Sequence, residues 1–406
     1  MYSTATLTCL TGEENTVNLL HMENITPNSS FISLPDQVLR WYDAHQRVLP
    51  WRAVSRETPD PYRVWLSEIM LQQTQVVTVV PYFNRFIELW HKIESLAAAD
   101  VNDVLREWAG LGYYARARNL HRCAQIITLD HAGDFPEEEA ELLKLPGIGP
   151  YTAAAVAAIA FGKEATPVDG NVERVIARVY RIKTPIKKNK LIIKSLASRN
   201  TPKARTGDYA QAVMDLGATV CTPRRPLCFV CPLTELCGAF LHEETHAIPI
   251  NKKQKKVPRR EGTAYVIIND ANEILLYRRT EKGLLGGMLE VPSIGWEQPE
   301  RHNELIRKVN MSGAHSRAIP GTVEHVFTHF KLVLRVIIMR VENNDWLAGL
   351  HWYPFDKIAS AGLPKLMLKV VQHFLADAEN SHKLKSIKGD PSTACTSQNL
   401  QDLHMP

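Results

Sequence analysis

The first 39 residues contain no lysine or arginine. A secretory signal needs a basic start and a transit peptide is rich in arginine, so neither address is expected here. Long apolar runs are also missing. The most apolar stretch, Ala153 to Phe161, is far too short to span a bilayer, so no membrane association is expected. Neither sign of charge dominates: 48 basic against 43 acidic residues leave +5, a weak hint of an anionic partner whose strength depends on where the charges sit. No internal repeat is visible. Cysteine is sparse, with seven in 406 residues, and four of them are clustered. Without an export signal the cell interior is expected, where thiols bind metal or catalyse more often than they cross-link.

What is present divides into segments. Residues 1–32 are polar and rich in Thr, Asn and Ser, the composition of a disordered extension. From 33 to 246 the pattern is helical, with Val64, Glu68 and Leu71 on one face and Val172, Val175, Ile176 and Val179 on another. Residues 247–261 hold Lys252, Lys253, Lys255, Lys256, Arg259 and Arg260, a basic linker that is either merely solvated or in contact with phosphates. From 262 to 378 the texture turns to α+β. Ala264–Ile268 and Ile274–Tyr277 flank the turn signal Asn269-Asp270-Ala271-Asn272, Phe330 to Ile338 alternates as a strand does, and Leu366, Val370 and Phe374 suggest a helix. Residues 379–406 form a polar tail expected to be disordered.

The clustered cysteines are spaced Cys221-x6-Cys228-x2-Cys231-x5-Cys237. Four thiolates at close range suit tetrahedral zinc or a cubane cluster equally well. Arg224 and Arg225 lie inside the first interval. Upstream, Leu145-Pro146-Gly147-Ile148-Gly149-Pro150-Tyr151-Thr152 opens an alanine-rich helical run. Glycines let the backbone turn sharply, and N–H groups at a helix start make an anion site, although an ordinary inter-helix turn reads the same way. Asp169, in Pro167-Val168-Asp169-Gly170-Asn171, stands where a helix N-cap belongs. Glu68 lies within Tyr62-Arg63-Val64-Trp65-Leu66-Ser67-Glu68-Ile69-Met70-Leu71-Gln72-Gln73-Thr74-Gln75-Val76, where it either faces an apolar groove or sits on the surface.

Together these strings resemble the MutY-type adenine DNA glycosylases of the endonuclease III superfamily, over about residues 33–378. The resemblance implies an all-α helix–hairpin–helix domain with an iron–sulfur loop at 221–237, followed by a smaller Nudix-like domain. It favours one [4Fe–4S] cluster on Cys221, Cys228, Cys231 and Cys237. It implies that the hairpin around Gly147 and Gly149, with Arg224 and Arg225, meets DNA phosphates, and that Gln72 and Tyr113, the latter in Gly110-Leu111-Gly112-Tyr113-Tyr114, wedge into the duplex. Leu49-Pro50-Trp51-Arg52, Leu71 and Gln211 match positions around a flipped adenine. Glu68 would be the catalytic acid, Asp169 the carboxylate facing an oxocarbenium ion, and Tyr151 a support for the sugar. Lyase members keep a lysine where Tyr151 stands, and a tyrosine cannot form an imine. The base-removing branch is therefore expected over a lyase acting on oxidised pyrimidines or a silent iron–sulfur DNA-binding protein.

In the second domain the Nudix metal-binding arrangement is missing, since the acidic stretch Glu297 to Glu304 lacks its Arg-Glu and Glu-Glu pairs. Recognition without hydrolysis is implied. Phe327-Thr328-His329 aligns with the family's Phe-Ser-His tip for 8-oxoguanine, with Thr328 keeping the hydroxyl and adding a methyl. The expected partner is duplex DNA holding adenine opposite 8-oxoguanine or guanine. The expected form is a monomer in the cytoplasm, nucleoid-associated and of bacterial type.

Overall fold

The computed structural model describes residues 33–53, 57–250, 257–297, 302–312, 314–341 and 351–387. The expected extension 1–32, the basic residues 251–256 and the end of the polar tail lie outside these, as does part of the stretch Glu297 to Glu304.

The first domain is helical throughout its described residues. Helices α1 (Leu34–His45), α2 (Pro61–Leu71), α3 (Val76–Leu89), α4 (Ile93–Ala98), α5 (Val101–Glu107), α6 (Ala115–Asp130) and α7 (Glu139–Leu142) lead to α8 (Pro150–Phe161). After it come α9 (Gly170–Val179), α10 (Lys190–Arg199), α11 (Thr206–Thr219) and the short α12 (Gly238–Leu241). Starts follow local chemistry. Ser33 and Asp60 cap α1 and α2 with a proline in the first turn, and α8 opens at Gly149-Pro150 and closes on left-handed Gly162.

Among the described residues of this domain two main hydrophobic cores form, beside a small cluster of Ala177, Cys237, Ala239 and Ile248. One gathers Trp65, Phe83, Phe86 and Trp108 with the buried alanines of α8; the other joins α1, α9, α10 and α11 through Val38, Ile176, Ile193 and Leu216. Helix α8 is apolar all round, as a central helix must be, and it packs on both α2 and α11. Glu68, Tyr151, Asp169 and Gln211, singled out in sequence, line a groove between elements of these cores.

The second domain is a mixed sheet in the order β3-β2-β1-β6-β5. Its strands are β1 (Arg259–Ile268), β2 (Glu273–Arg278), β3 (Leu289–Glu290), β4 (Ser293–Ile294), β5 (His315–Val326), β6 (Lys331–Arg340) and β7 (His351–Pro354), with helices α13 (Asn303–Met311) and α14 (Lys365–Ile387). Strand β1 runs parallel to β6, whereas β5 pairs antiparallel to β6 across an irregularity between Ile319 and Val323. The period-two alternation of strands splits the sheet between two cores. Ala264, Val266 and Ile268 pack with Leu366, Val370 and Phe374 of α14, while Ile267 and Leu275 pack with Ile306 and Val309 of α13.

Two boundaries move. Arg259 and Arg260, counted with the linker in sequence, already pair with Lys331 and Leu332, because a parallel partner extends the strand into charged residues. Helix α14 continues to Ile387, past the start of the expected tail. The domains touch: Leu285 and Met288 pack against the first helical core, and Arg118 donates to the carbonyls of Glu281, at 2.8 Å, and Gly286.

Candidate active site

Glu68 sits on α2 one turn after Val64, turned inward and only 6% exposed. Its Oε2 is buried with no hydrogen-bond partner. An orphaned carboxyl oxygen inside a protein is costly unless a ligand or a proton satisfies it. Burial pushes the Glu68 carboxyl up; a hydrogen bond from Tyr151 draws it down, the nearby Asp169 raises it, and Arg52 lowers it, for a balance of about 7. Tyr151, in the first turn of α8, also places its hydroxyl 3.2 Å from Met214 Sδ, and burial raises its phenol well above the usual range.

Asp169 caps α9. Its Oδ1 accepts from the Asn171 and Val172 backbone N–H groups at 2.9 and 2.8 Å, and Oδ2 accepts from Asn171 Nδ2 at 2.7 Å. Asn171 Oδ1 in turn accepts from Arg174 at 2.8 Å, and Arg174 Nε donates to the Cys221 carbonyl at 2.7 Å. Three donors therefore lock the carboxylate, and its helix bridges the groove and the cysteine loop.

Glu68, Tyr151 and Asp169 line one cavity of about 740 Å³, together with Trp51, Arg52, Leu71, Gln72 and Gln211. The residues expected from sequence around the base and its sugar, Trp51, Arg52, Leu71, Gln211 and Tyr151, thus converge from α2, α8, α11 and the loop before α2. Gln72, at the end of α2, donates to Thr152 Oγ1 at 3.2 Å. Sequence reading missed Arg47, Asn171 and Met214, which also line the cavity, and Asp215, which anchors Arg47 and Arg52 from behind. Met214 and Asp215 follow Gln211 on α11 by three and four residues, the same-face spacing that was the available signal.

The other predicted residues lie outside this cavity. In the hairpin before α8, Gly147 has φ +80° and an added Cβ there would come within 2.9 Å of Asn119 Cβ, so both conformation and space demand glycine. Gly149 is the N-cap of α8. Tyr113 projects half-exposed from a turn with φ +48°, and the buried Arg116 lies 5.7 Å from its ring centre while donating to the Ile69 and Met70 carbonyls. Its hydroxyl lies 2.5 Å from Thr328 Oγ1, so the expected wedge and the expected lesion tip are neighbours. Thr328 and His329 are exposed, whereas Phe327 packs among Trp296, Phe330 and His325. In the second domain Glu290 and Glu297 are both paired with buried Arg279.

Cys221, Cys228, Cys231 and Cys237 line a single cavity with Arg178 and Thr245. Arg178 is buried, and its Nη1 donates to Cys221 Sγ at 3.2 Å. Among the described residues no group of three or more His, Cys, Asp or Glu is gathered as a ready site for a metal ion. Arg224 and Arg225 are exposed on the same loop. No described helix is long and apolar enough to cross a membrane.

Residues 66–199 match the HhH-GPD superfamily of base excision DNA repair proteins, and residues 263–373 match the NUDIX domain. A helical domain of that superfamily carrying an acid-lined groove, joined to a Nudix domain, defines the class: a base excision DNA glycosylase. An adenine DNA glycosylase of Mus musculus is 33% identical over 404 residues, which span 85% of this chain and 78% of that protein. That of Homo sapiens is 33% identical over 395 residues, 82% of this chain and 72% of its own. That of Buchnera aphidicola subsp. Schizaphis graminum is 33% identical over 345 residues, 83% and 97% respectively. The chain belongs to the adenine DNA glycosylase family.

Proposed function

We propose that the enzyme hydrolyses the N-glycosidic bond of adenine mispaired with 8-oxoguanine or guanine in duplex DNA and leaves an abasic site. The observation that carries the reading is the buried Glu68 carboxyl, its Oε2 without a hydrogen-bond partner, sharing one cavity with a locked Asp169 carboxylate. Adenine leaves poorly as an anion. A carboxylic acid that keeps its proton near neutral pH can hand it to N7 of a flipped base, a general-acid contribution of roughly 10²–10⁴-fold. As the bond breaks, the sugar gains oxocarbenium character at C1′. Asp169, held by three donors and so unable to swing away, faces that charge, and water completes the hydrolysis. Tyr151 stands beside both carboxyls and supports the sugar. The pairing of an acid with an anion is the logic of sugar hydrolases.

The hairpin at Gly147 and Gly149, with Arg224 and Arg225, would hold phosphates without reading sequence. Gln72 and Tyr113 would fill the stack, and Trp51, Arg52, Leu71 and Gln211 would enclose the base. Phe327, Thr328 and His329 would read the opposite base, Phe327 by shaping the tip from within. Four cysteines around one cavity, with an arginine N–H directed at one sulfur, fit a [4Fe–4S] cluster better than a disulfide. Such a cluster, when bound, braces the loop carrying Arg224 and Arg225. The chain would act as a monomer, in the cytoplasm and on the nucleoid.

Duplexes with adenine opposite 8-oxoguanine, guanine or thymine, treated with and without alkali, test the reading. Strand breaks should appear only after alkali, and only with the first two partners at appreciable rate. Breaks without alkali, trapped covalently by borohydride, would contradict it.

A further inference from the structure

Behind the cavity wall lies a buried carboxylate that the chemistry above does not use. Asp215 on α11 has a side chain with no exposure at all. Its Oδ1 accepts from Arg47 Nε at 2.7 Å and Arg52 Nη2 at 2.8 Å, and its Oδ2 accepts from Arg52 Nη1 at 2.7 Å and the Arg47 backbone N–H at 3.1 Å. Arg52 grips the carboxylate with both ends of its fork, the geometry that fixes a guanidinium most firmly. It also donates to the Arg47 carbonyl at 3.1 Å and lies 5.8 Å from the Tyr42 ring centre. Burial alone would raise the Asp215 carboxyl; Arg52 and Arg47 outweigh it and hold it below the usual carboxylate range.

Two cations and one anion leave this cluster with a single net positive charge beside an acid that has to stay neutral. Both arginines line the same cavity as Glu68, and Arg52 favours the ionised form of that carboxyl. The other groups facing Glu68 are Tyr151 from α8 and Asp169 at the cap of α9, while Arg116 of α6 is bound to the carbonyls that end α2. None of these neutralises Arg52; Asp215 does.

We propose that Asp215 is a positioning residue for the acid step: it directs Arg47 and Arg52 along the cavity wall and cancels one of their two charges, so that Glu68 holds its proton until adenine accepts it. The inference rests on Glu68 being the acid. Asp215 touches no substrate; it acts through the arginines.

The test is the single-turnover rate of adenine release as a function of pH, on saturating duplex with adenine opposite 8-oxoguanine. In the wild type the rate falls as pH rises through the range where Glu68 ionises. Asp215→Asn keeps the shape and removes the charge, so that falling limb should move down by roughly one pH unit, the effect of one nearby charge in a partly buried site. The rate at pH 8 should then drop about tenfold more than the rate at pH 5.5. Arg47→Gln removes a cation and should move the limb the opposite way. Combining the two restores the net charge and should return the limb to its wild-type position, and Asp215→Glu should leave it there.

A uniform loss at every pH in both single variants, with the limb fixed, would reduce Asp215 to a structural anchor and overturn the proposal. If Asp215→Asn does not fold, as judged by circular dichroism and melting, Arg47→Gln decides alone: an upward move supports the proposal and a fixed limb defeats it. Glu68→Gln separates the two levels. Near-normal turnover in that variant removes Glu68 as the acid and the proposal with it. A limb that vanishes in Glu68→Gln yet ignores Asp215→Asn and Arg47→Gln defeats the proposal for Asp215 only.

Discussion

Glu68 carries a folding cost that follows from its burial. Its carboxyl ionises near 4.5 in an unfolded chain and at about 7 in the folded one. Between those values the folded state binds the extra proton, so stability falls as pH rises through the window and stays reduced above it. Glu68→Gln removes that penalty. The variant should match the wild type below pH 4.5 and gain on it up to pH 7, reaching roughly 3 kcal/mol at pH 8. Denaturant midpoints at pH 5 and pH 8 check this, and a difference independent of pH would show that the carboxyl is not desolvated as described. The role of Glu68 was legible in sequence through the resemblance of its string to a family motif; helical spacing alone left it either in an apolar groove or on the surface. The charge environment was not: Arg52 and Asp215 meet across 163 residues of chain.

At the scale of elements, α9 joins chemistry to architecture, since its cap is Asp169 and its next turn holds Arg174 against Asn171 and the Cys221 carbonyl. Capping and catalysis separate by substitution. Asn caps about as well as Asp, so Asp169→Asn should melt close to the wild type while losing most base removal. Asp169→Ala should lose activity and, in addition, roughly 0.5–2 kcal/mol of stability. Equal melting of the two variants would mean that the cap contributes nothing. The hairpin glycines, the N-cap at Asp169 and the turn at Asn269–Asn272 were readable because their chemistry is local. Strand β1 starting at Arg259 was not, because its extent is set by pairing with β6, some seventy residues on. The start of the tail was misplaced for a related reason: α14 follows the sheet it packs on, and its polar continuation carries no apolar signal.

Across the whole molecule, the tip of the second domain lies against the turn of the first that holds Tyr113, through Thr328 and Tyr113, residues 215 positions apart. Their meeting had no signature in sequence, although each belonged to a motif that had one. If the tip reads the base opposite adenine, Thr328→Ala combined with His329→Ala should lower the preference for 8-oxoguanine over guanine by about 1–3 kcal/mol and spare the guanine duplex. Rates and affinities for the two duplexes at one salt concentration give that ratio, and an unchanged ratio would place lesion reading in the helical domain. The account as a whole turns on one proton. Single-turnover release of adenine opposite 8-oxoguanine, compared between the wild type and Glu68→Gln at equal DNA occupancy, tests it most directly. A loss of roughly 10²-fold or more with binding intact is predicted; a near-normal rate in Glu68→Gln would contradict it.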